Sequence, residues 1–140
     1  MNADWDLTPD ISRKQRLGFD ETIFCAGKSP DQIHRLLQAA LRAEEPLLLT
    51  RLDSEKFSAL SDELSRHLDY DEVSHTAILG HLPPPGDTPR VAIVSGGSSD
   101  VRVAREAART LQYYRVGVHE IYDVGVAGLW RLLERVEELR

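Results

Sequence analysis

The residues best placed to do chemistry are Gly96-Gly97-Ser98-Ser99-Asp100, set between an apolar run, Val91-Ala92-Ile93-Val94-Ser95, and a helical pattern. A glycine-rich turn between a strand and its helix is a natural anion site. Gly96 and Gly97 allow a sharp turn and close approach of a ligand. The first N–H groups of the next helix lack intrahelical partners, and the helix dipole adds partial positive charge there. Ser98 and Ser99 add hydroxyl donors, with Ser99 the expected N-cap. Asp100 can bind a ribose hydroxyl, hold a metal-bound water or act as a base. In the plainer reading Ser98, Ser99 and Asp100 only cap the helix. The spacing is not G-x-G-x-x-G, so nothing local specifies a dinucleotide fold.

Other reactive side chains carry less. Arg13, Arg16, Glu21 and Lys28 lie in a segment with little core, where charges are usually solvated. Cys25 is the single cysteine, so no intrachain disulfide and no cysteine-built metal site can form. It reads as a small buried apolar residue. His34, His67, His75, His81 and His119 show no ligand spacing, and no Cys/His metal site is expected. Arg102 sits near the positive end of its helix. It can contact a phosphate there, or be solvated and paired with Glu106.

Those groups need elements to hold them. Glu21 to Cys25 is β-like and Ala26 to Pro30 a turn, with Ser29 as cap and Pro30 as first helical residue. Ile33, Leu36, Leu37, Ala40 and Leu41 form a helical stripe that Pro46 should end. Leu47 to Thr50 reads as a strand. Asp53 or Ser54 should cap one helix carrying Phe57, Leu60 and Leu64, before a strand at Thr76 to Leu79. Residues 1–80 therefore read as a small α/β domain with a leading arm. His81 to Thr88 and on to Arg90, with four prolines between Pro83 and Pro89, is an extended linker (81–90).

Residues 91–140 repeat β-α-β-α. Val91 to Ser95 suits a strand buried on both faces. The following helix should turn Val103, Ala104, Ala107, Ala108 and Leu111 inward. A strand from Val118 to Tyr122 leads through Asp123-Val124-Gly125 into a helix bearing Val126, Leu129, Leu132, Leu133, Val136 and Leu139. This is the opening of a doubly wound parallel sheet.

Bulk properties narrow the function. Net charge is −6, from 17 basic and 23 acidic side chains, which disfavours nucleic acid and anionic membrane partners. No apolar run nears the roughly 20 residues that span a bilayer. The first ten residues hold three Asp and no basic residue, unlike a signal peptide, and a cytoplasmic location is expected.

Longer strings add a resemblance. Gly97-Ser98-Ser99-Asp100, Val103-Ala104, Glu106-Ala107, Tyr122-Asp123-Val124-Gly125-Val126-Ala127-Gly128-Leu129 and Arg131-Leu132-Leu133 resemble the LarB family. That family reads G-T-S-D in the loop and Y-D-V-G-V-A-G after the next strand. Arg13, Arg16, Gly18-Phe19, Glu21 and Gly27-Lys28 look like its R-x-x-R-x-G-F-P-E…G-K-T segment.

The resemblance implies a PurE-like, flavodoxin-like fold and work in nickel-pincer nucleotide biosynthesis for lactate racemase. LarB-type enzymes carboxylate the pyridinium ring of nicotinic acid adenine dinucleotide at C5 with CO2 or bicarbonate. They also cleave its phosphoanhydride, releasing AMP, with Mg2+ expected at the phosphates. Carried onto this chain, Gly96, Gly97, Ser98, Ser99, Asp100, Asp123 and Gly125 bind nucleotide, Asp100 and Ser99 are catalytic candidates, and Arg13, Arg16, Glu21 and Lys28 fold over the ligand. Asp20 departs from the family's Pro, and Arg102 and Arg105 are more basic than its pattern. The family's later strands and catalytic cysteine have no counterpart here, and Cys25 does not replace that cysteine. The chain is therefore expected to be inactive alone and to form a homo-oligomer; the alternative is a non-catalytic nucleotide-binding, sensing or assembly module. PurE activity is disfavoured, because Tyr122 to Gly128 lacks the S-A-H-R-T-P segment.

Overall fold

A computed structural model describes residues 13–80 and 89–139. The arm before Arg13 and most of the proline-rich linker, residues 81–88, lie outside the described residues. The chain divides into two compact units. The first comprises Met1–Tyr70 and Ala77–His81, the second Asp71–Thr76 and Leu82–Arg140.

The first unit is mixed α/β. α1 (Arg13–Leu17) precedes β1 (Thr22–Phe24), α2 (Pro30–Ala43) and β2 (Leu47–Thr50). Two short helices follow, α3 (Ser54–Ser58) and α4 (Asp62–Ser65), then β3 (Leu68–Asp71) and β4 (Thr76–Leu79). The sheet runs β1-β2-β4-β3. β1 is parallel to β2, with Ile23 opposite Leu49, and β4 is antiparallel to β2, with Ala77 opposite Leu49.

α2 starts where the sequence says it should. The Gln32 N–H donates to Ser29 Oγ at 3.2 Å and the Ser29 N–H to Gln32 Oε1 at 3.0 Å. This reciprocal box satisfies two amides that the helix leaves open. Its end differs from expectation. The helix stops at Ala43 because Glu44 turns left-handed (φ 55°) and the Glu45 N–H returns to Ala40 O at 3.1 Å. Pro46 lies beyond that stop. Ile33, Leu36 and Leu37 pack on Ile23, Leu49, Ala77 and Leu79 of the sheet, and Leu52, Leu60 and Leu64 close the core.

The single helix expected over Phe57, Leu60 and Leu64 is two. Asp53 caps the first through the Lys56 N–H at 2.8 Å. Ser61 restarts the chain in extended geometry before α4. Ser58, Ser61 and Asp62 compete for backbone bonds and favour helix starts over helix interiors. β3 was not foreseen. Leu68 and Tyr70 pack on the core, Tyr70 stacks on Phe57 at 4.0 Å, and its hydroxyl donates to Leu52 O at 3.1 Å.

In the second unit, β5 (Val91–Val94) and β6 (Val118–Ile121) pair in parallel, Val91 opposite Val118 and Val94 opposite Ile121. α5 (Val101–Tyr113) joins them, and α6 (Leu129–Arg135) follows between short 3-10 turns at Val126–Gly128 and Val136–Leu139. Two expectations fail here. β5 is not covered on both faces, since Val91 and Val94 are 37 % and 45 % exposed. A two-stranded sheet supplies too little protein to bury it. The inward face of α5 is also rotated. Ala104, Ala108, Arg109 and Tyr113 are buried, whereas Val103 and Ala107 face out. The rotation brings two arginines to polar partners: Arg105 to Asp71 and Glu120, and Arg109 Nε to Thr76 Oγ1 at 3.3 Å.

Candidate functional site

The glycine-rich loop lies at the C-terminal end of β5, beside the loop that leaves β6. Three backbone–backbone bonds join them. The Ser95 N–H donates to Ile121 O at 3.0 Å, the Val124 N–H to Ser95 O at 3.1 Å and the Gly125 N–H to Gly96 O at 2.8 Å. Asp123 adopts a left-handed backbone (φ 57°), which an Asp tolerates better than most residues. Its carboxylate accepts from Arg131 Nη1 at 2.9 Å. Gly96, Gly97, Ser98, Ser99, Asp100, Asp123 and Gly125 thus form one neighbourhood within the second unit.

The start of α5 corrects the expected cap. Ser98–Asp100 is a 3-10 turn flanked by extended Gly97, and no side chain of Ser98 or Ser99 caps the helix. A capping residue needs extended backbone. Ser99 already lies inside the turn, as the Val101 N–H bond to Ser98 O requires. Asp100 folds back instead, its Oδ2 accepting the Gly97 N–H at 3.1 Å while its own N–H donates to Gly97 O at 3.0 Å. One carboxylate oxygen is therefore engaged in shaping the loop. Ser98, Ser99 and Asp100 are all exposed, and Arg102 is exposed on the first turn of α5.

The second unit also holds a charge network that the sequence reading missed. Arg105 spans Asp71 Oδ2 at 2.9 Å and Glu120 Oε1 at 2.6 Å, and the Tyr122 hydroxyl donates to Glu120. Burial opposes ionisation of Asp71, yet the Ser74 N–H and hydroxyl and the Arg105 guanidinium together hold its carboxyl below the ordinary range. Burial, reinforced by Glu120, pushes the Tyr122 hydroxyl up to about 12. Both carboxylates raise the Arg105 guanidinium further against the opposing pull of its own burial. One signal was available: Arg105 and Arg109 stand four apart and adjoin Ala104 and Ala108, so they share that helix face.

The other candidates sit in the first unit. Arg13 and Arg16 are on α1, and the Arg13 guanidinium lies 5.6 Å from the centre of the Phe19 ring. Glu21 precedes β1, and Lys28 closes the β1–α2 turn through its N–H to Cys25 O at 3.1 Å. Lys56, also missed, braces that turn by donating to Cys25 O at 2.8 Å and Ala26 O at 3.0 Å. Cys25 is fully buried, and burial pushes its thiol up to about 12 despite nearby Lys56 and Lys28. The thiolate is the nucleophile, so this cysteine is chemically inert in the folded unit.

Among the described residues, no cluster of three or more His, Cys, Asp or Glu could hold a metal ion. His119 instead meets Glu138 at 2.9 Å. No described helix is long and apolar enough to cross a membrane.

Comparison with known proteins supplies the family. The profile of the LarB/PurE-like N-terminal domain matches residues 6–81. An uncharacterized protein of Methanocaldococcus jannaschii is 29 % identical over 140 aligned residues, covering 95 % of this chain and 54 % of that protein. The chain thus spans about half the length of that relative. The profile accounts for the first unit, and the relative extends the likeness across the glycine-rich loop. The family is related to enzymes of the carboxylase and mutase type. The chain belongs to the LarB/PurE-like family, as a carrier of its N-terminal domain.

Proposed function

We propose that the loop at residues 96–100 binds the phosphates of an anionic nucleotide at the opening of α5. The nucleotide is nicotinic acid adenine dinucleotide, as in nickel-pincer nucleotide synthesis. The observation that carries this reading is the exposure of Ser98, Ser99 and Asp100 where a 13-residue helix begins, backed by the Gly96–Gly125 contact. Two hydroxyls and the helix dipole there favour a dianion.

Mg2+ bound with the ligand would offset the charge of its phosphates, and Asp100 would hold a water bound to that ion. Carboxylation with CO2 or bicarbonate and release of AMP need a nucleophile to activate the ring. Cys25 cannot serve, being buried and protonated. This chain therefore binds nucleotide without turning it over.

Isothermal titration of the full chain with nicotinic acid adenine dinucleotide tests the binding. Replacing both Ser98 and Ser99 with Ala should weaken it about tenfold, the loss of one or two hydrogen bonds to a charged group. Affinity untouched by that pair rejects the loop as the phosphate site. Mass spectrometry for the biscarboxylated mononucleotide tests turnover, and product from this chain alone rejects the non-catalytic reading.

A further inference from the structure

We infer that Arg105 and Tyr122 are positioning residues: through Glu120 they fix the Asp123–Gly125 loop and so set its spacing from Gly96 and Gly97, where the phosphates are to sit. The inference rests on the nucleotide reading for the ligand alone. The hold on the loop is a property of the free chain.

Asp71, Arg105, Glu120 and Tyr122 all lie in the second unit. Glu120 and Tyr122 stand two apart along the end of β6, so their side chains leave on one face. The Tyr122 hydroxyl donates to Glu120 Oε2. The other oxygen of Glu120 accepts from Arg105 Nη1 at 2.6 Å, while Arg105 Nε donates to Asp71 Oδ2 at 2.9 Å. A guanidinium is planar and its donors point in fixed directions, so carboxylates on two of its nitrogens fix its orientation.

The chain on either side of this tie leads to the two loops. Arg105 stands in the second turn of α5, the helix that the glycine-rich loop opens. Tyr122 is the residue before Asp123, whose backbone is left-handed (φ 57°). Such a residue persists where its neighbours over-determine it. On the far side, the Val124 N–H donates to Ser95 O and the Gly125 N–H to Gly96 O. On the near side, the Tyr122 side chain supplies the anchor.

Stability alone accounts poorly for this network. Two carboxylates share one guanidinium at side-chain exposures of 14 % and 18 %. Charges withdrawn from water in this way return little net stability, and apolar side chains of similar volume often serve as well. What the charges add is direction. Arg105 is also more basic than the LarB pattern at its position, so the tie belongs to this sequence rather than to the family's motif.

Amide hydrogen exchange on the full chain, read beside its melting curve, tests the inference. Tyr122→Phe removes the hydroxyl and leaves the Arg105 ion pairs in place. It should speed exchange at the Val124 and Gly125 amides about fivefold, the loss of one partly exposed hydrogen bond, with little change in melting temperature. Asp71→Asn is the contrast. It keeps the Glu120 arm, so it should lower the melting temperature and leave those two amides nearly unchanged. A merely structural network gives the reverse order, because exchange then follows stability. Affinity for nicotinic acid adenine dinucleotide should follow the exchange, weakening about fivefold in Tyr122→Phe and holding in Asp71→Asn. Exchange that tracks melting temperature across the two variants, or that Tyr122→Phe leaves unchanged, overturns the inference. Faster exchange with undiminished affinity overturns it as well. If the unaltered chain does not bind the nucleotide, that reading fails, and the exchange rates alone decide whether Tyr122 holds the loop.

Discussion

The Gly125 N–H donates to the Gly96 carbonyl at 2.8 Å, and a side chain on Gly125 would meet that same oxygen. An ideal Cβ at Gly125 lies 2.5 Å from Gly96 O, with backbone on the receiving side. Gly125→Ala must push the two loops apart, at a cost of about 1–3 kcal/mol from overpacking. Nucleotide affinity should fall with it. Gly97→Ala is the control: its Cβ would meet only Asp100 Oδ2 at 3.5 Å, and its φ of −128° suits any residue. Urea unfolding of both variants checks the contrast. Equal losses would show that the Gly96–Gly125 approach does not constrain the loops.

The start of α2 gives a sharper test of local chemistry. Ser29→Ala breaks the bond from the Gln32 N–H and leaves that amide without its side-chain acceptor. The expected loss is about 1 kcal/mol. Gln32→Ala should cost less, because both bonds of the box are exposed and the higher helix propensity of Ala offsets part of the loss. Denaturant midpoints of the two variants, compared at unchanged slope, decide the order.

These caps were readable because their signals are local: Ser29 before Pro30, Asp53 before a helical run, and strands at Thr22–Phe24, Leu47–Thr50 and Thr76–Leu79. Long-range partners were not readable. β3 is four residues with two Asp, and Phe57 and Leu52, far away in the sequence, help give Tyr70 its place. The α5 stripe was set by apolar residues alone, whereas its face is decided by Asp71 and Glu120 meeting Arg105. The glycine-rich loop was visible as a motif. Its inner geometry was not, because Asp100 reaches back to Gly97 where Ser99 was expected to cap.

Burial of Cys25 makes a prediction at alkaline pH. Its thiol is raised from 9.0 to about 12 in the folded unit. The unfolded chain ionises first, so the folded state loses stability as pH rises from about 9 toward 12. Cys25→Ala should flatten that limb while costing some packing at neutral pH. Iodoacetamide should leave Cys25 unmodified in the folded protein and label it in urea. Rapid labelling without denaturant would contradict its burial.

Asp71 makes the opposite prediction at acid pH. Its carboxyl is lowered in the folded state, against burial, by Ser74 and Arg105. A lowered value contributes stability that is present above about pH 4, the ordinary range for Asp, and is lost as pH falls through the folded value. Asp71→Asn should therefore destabilise at pH 7 and unfold less steeply below pH 4 than the unaltered protein. Arg105→Gln leaves Asp71 and Glu120 without their shared cation, at side-chain exposures of 14 % and 18 %. The expected cost is about 1–3 kcal/mol at pH 7, below that of a fully buried pair because Arg105 keeps contact with water. In the Arg105→Gln background, Asp71→Asn should cost less than it does alone, and a double-mutant cycle in urea at pH 7 measures the difference. Additive losses would mean that the Asp71–Arg105 pair, at 2.9 Å, contributes nothing beyond its separate parts.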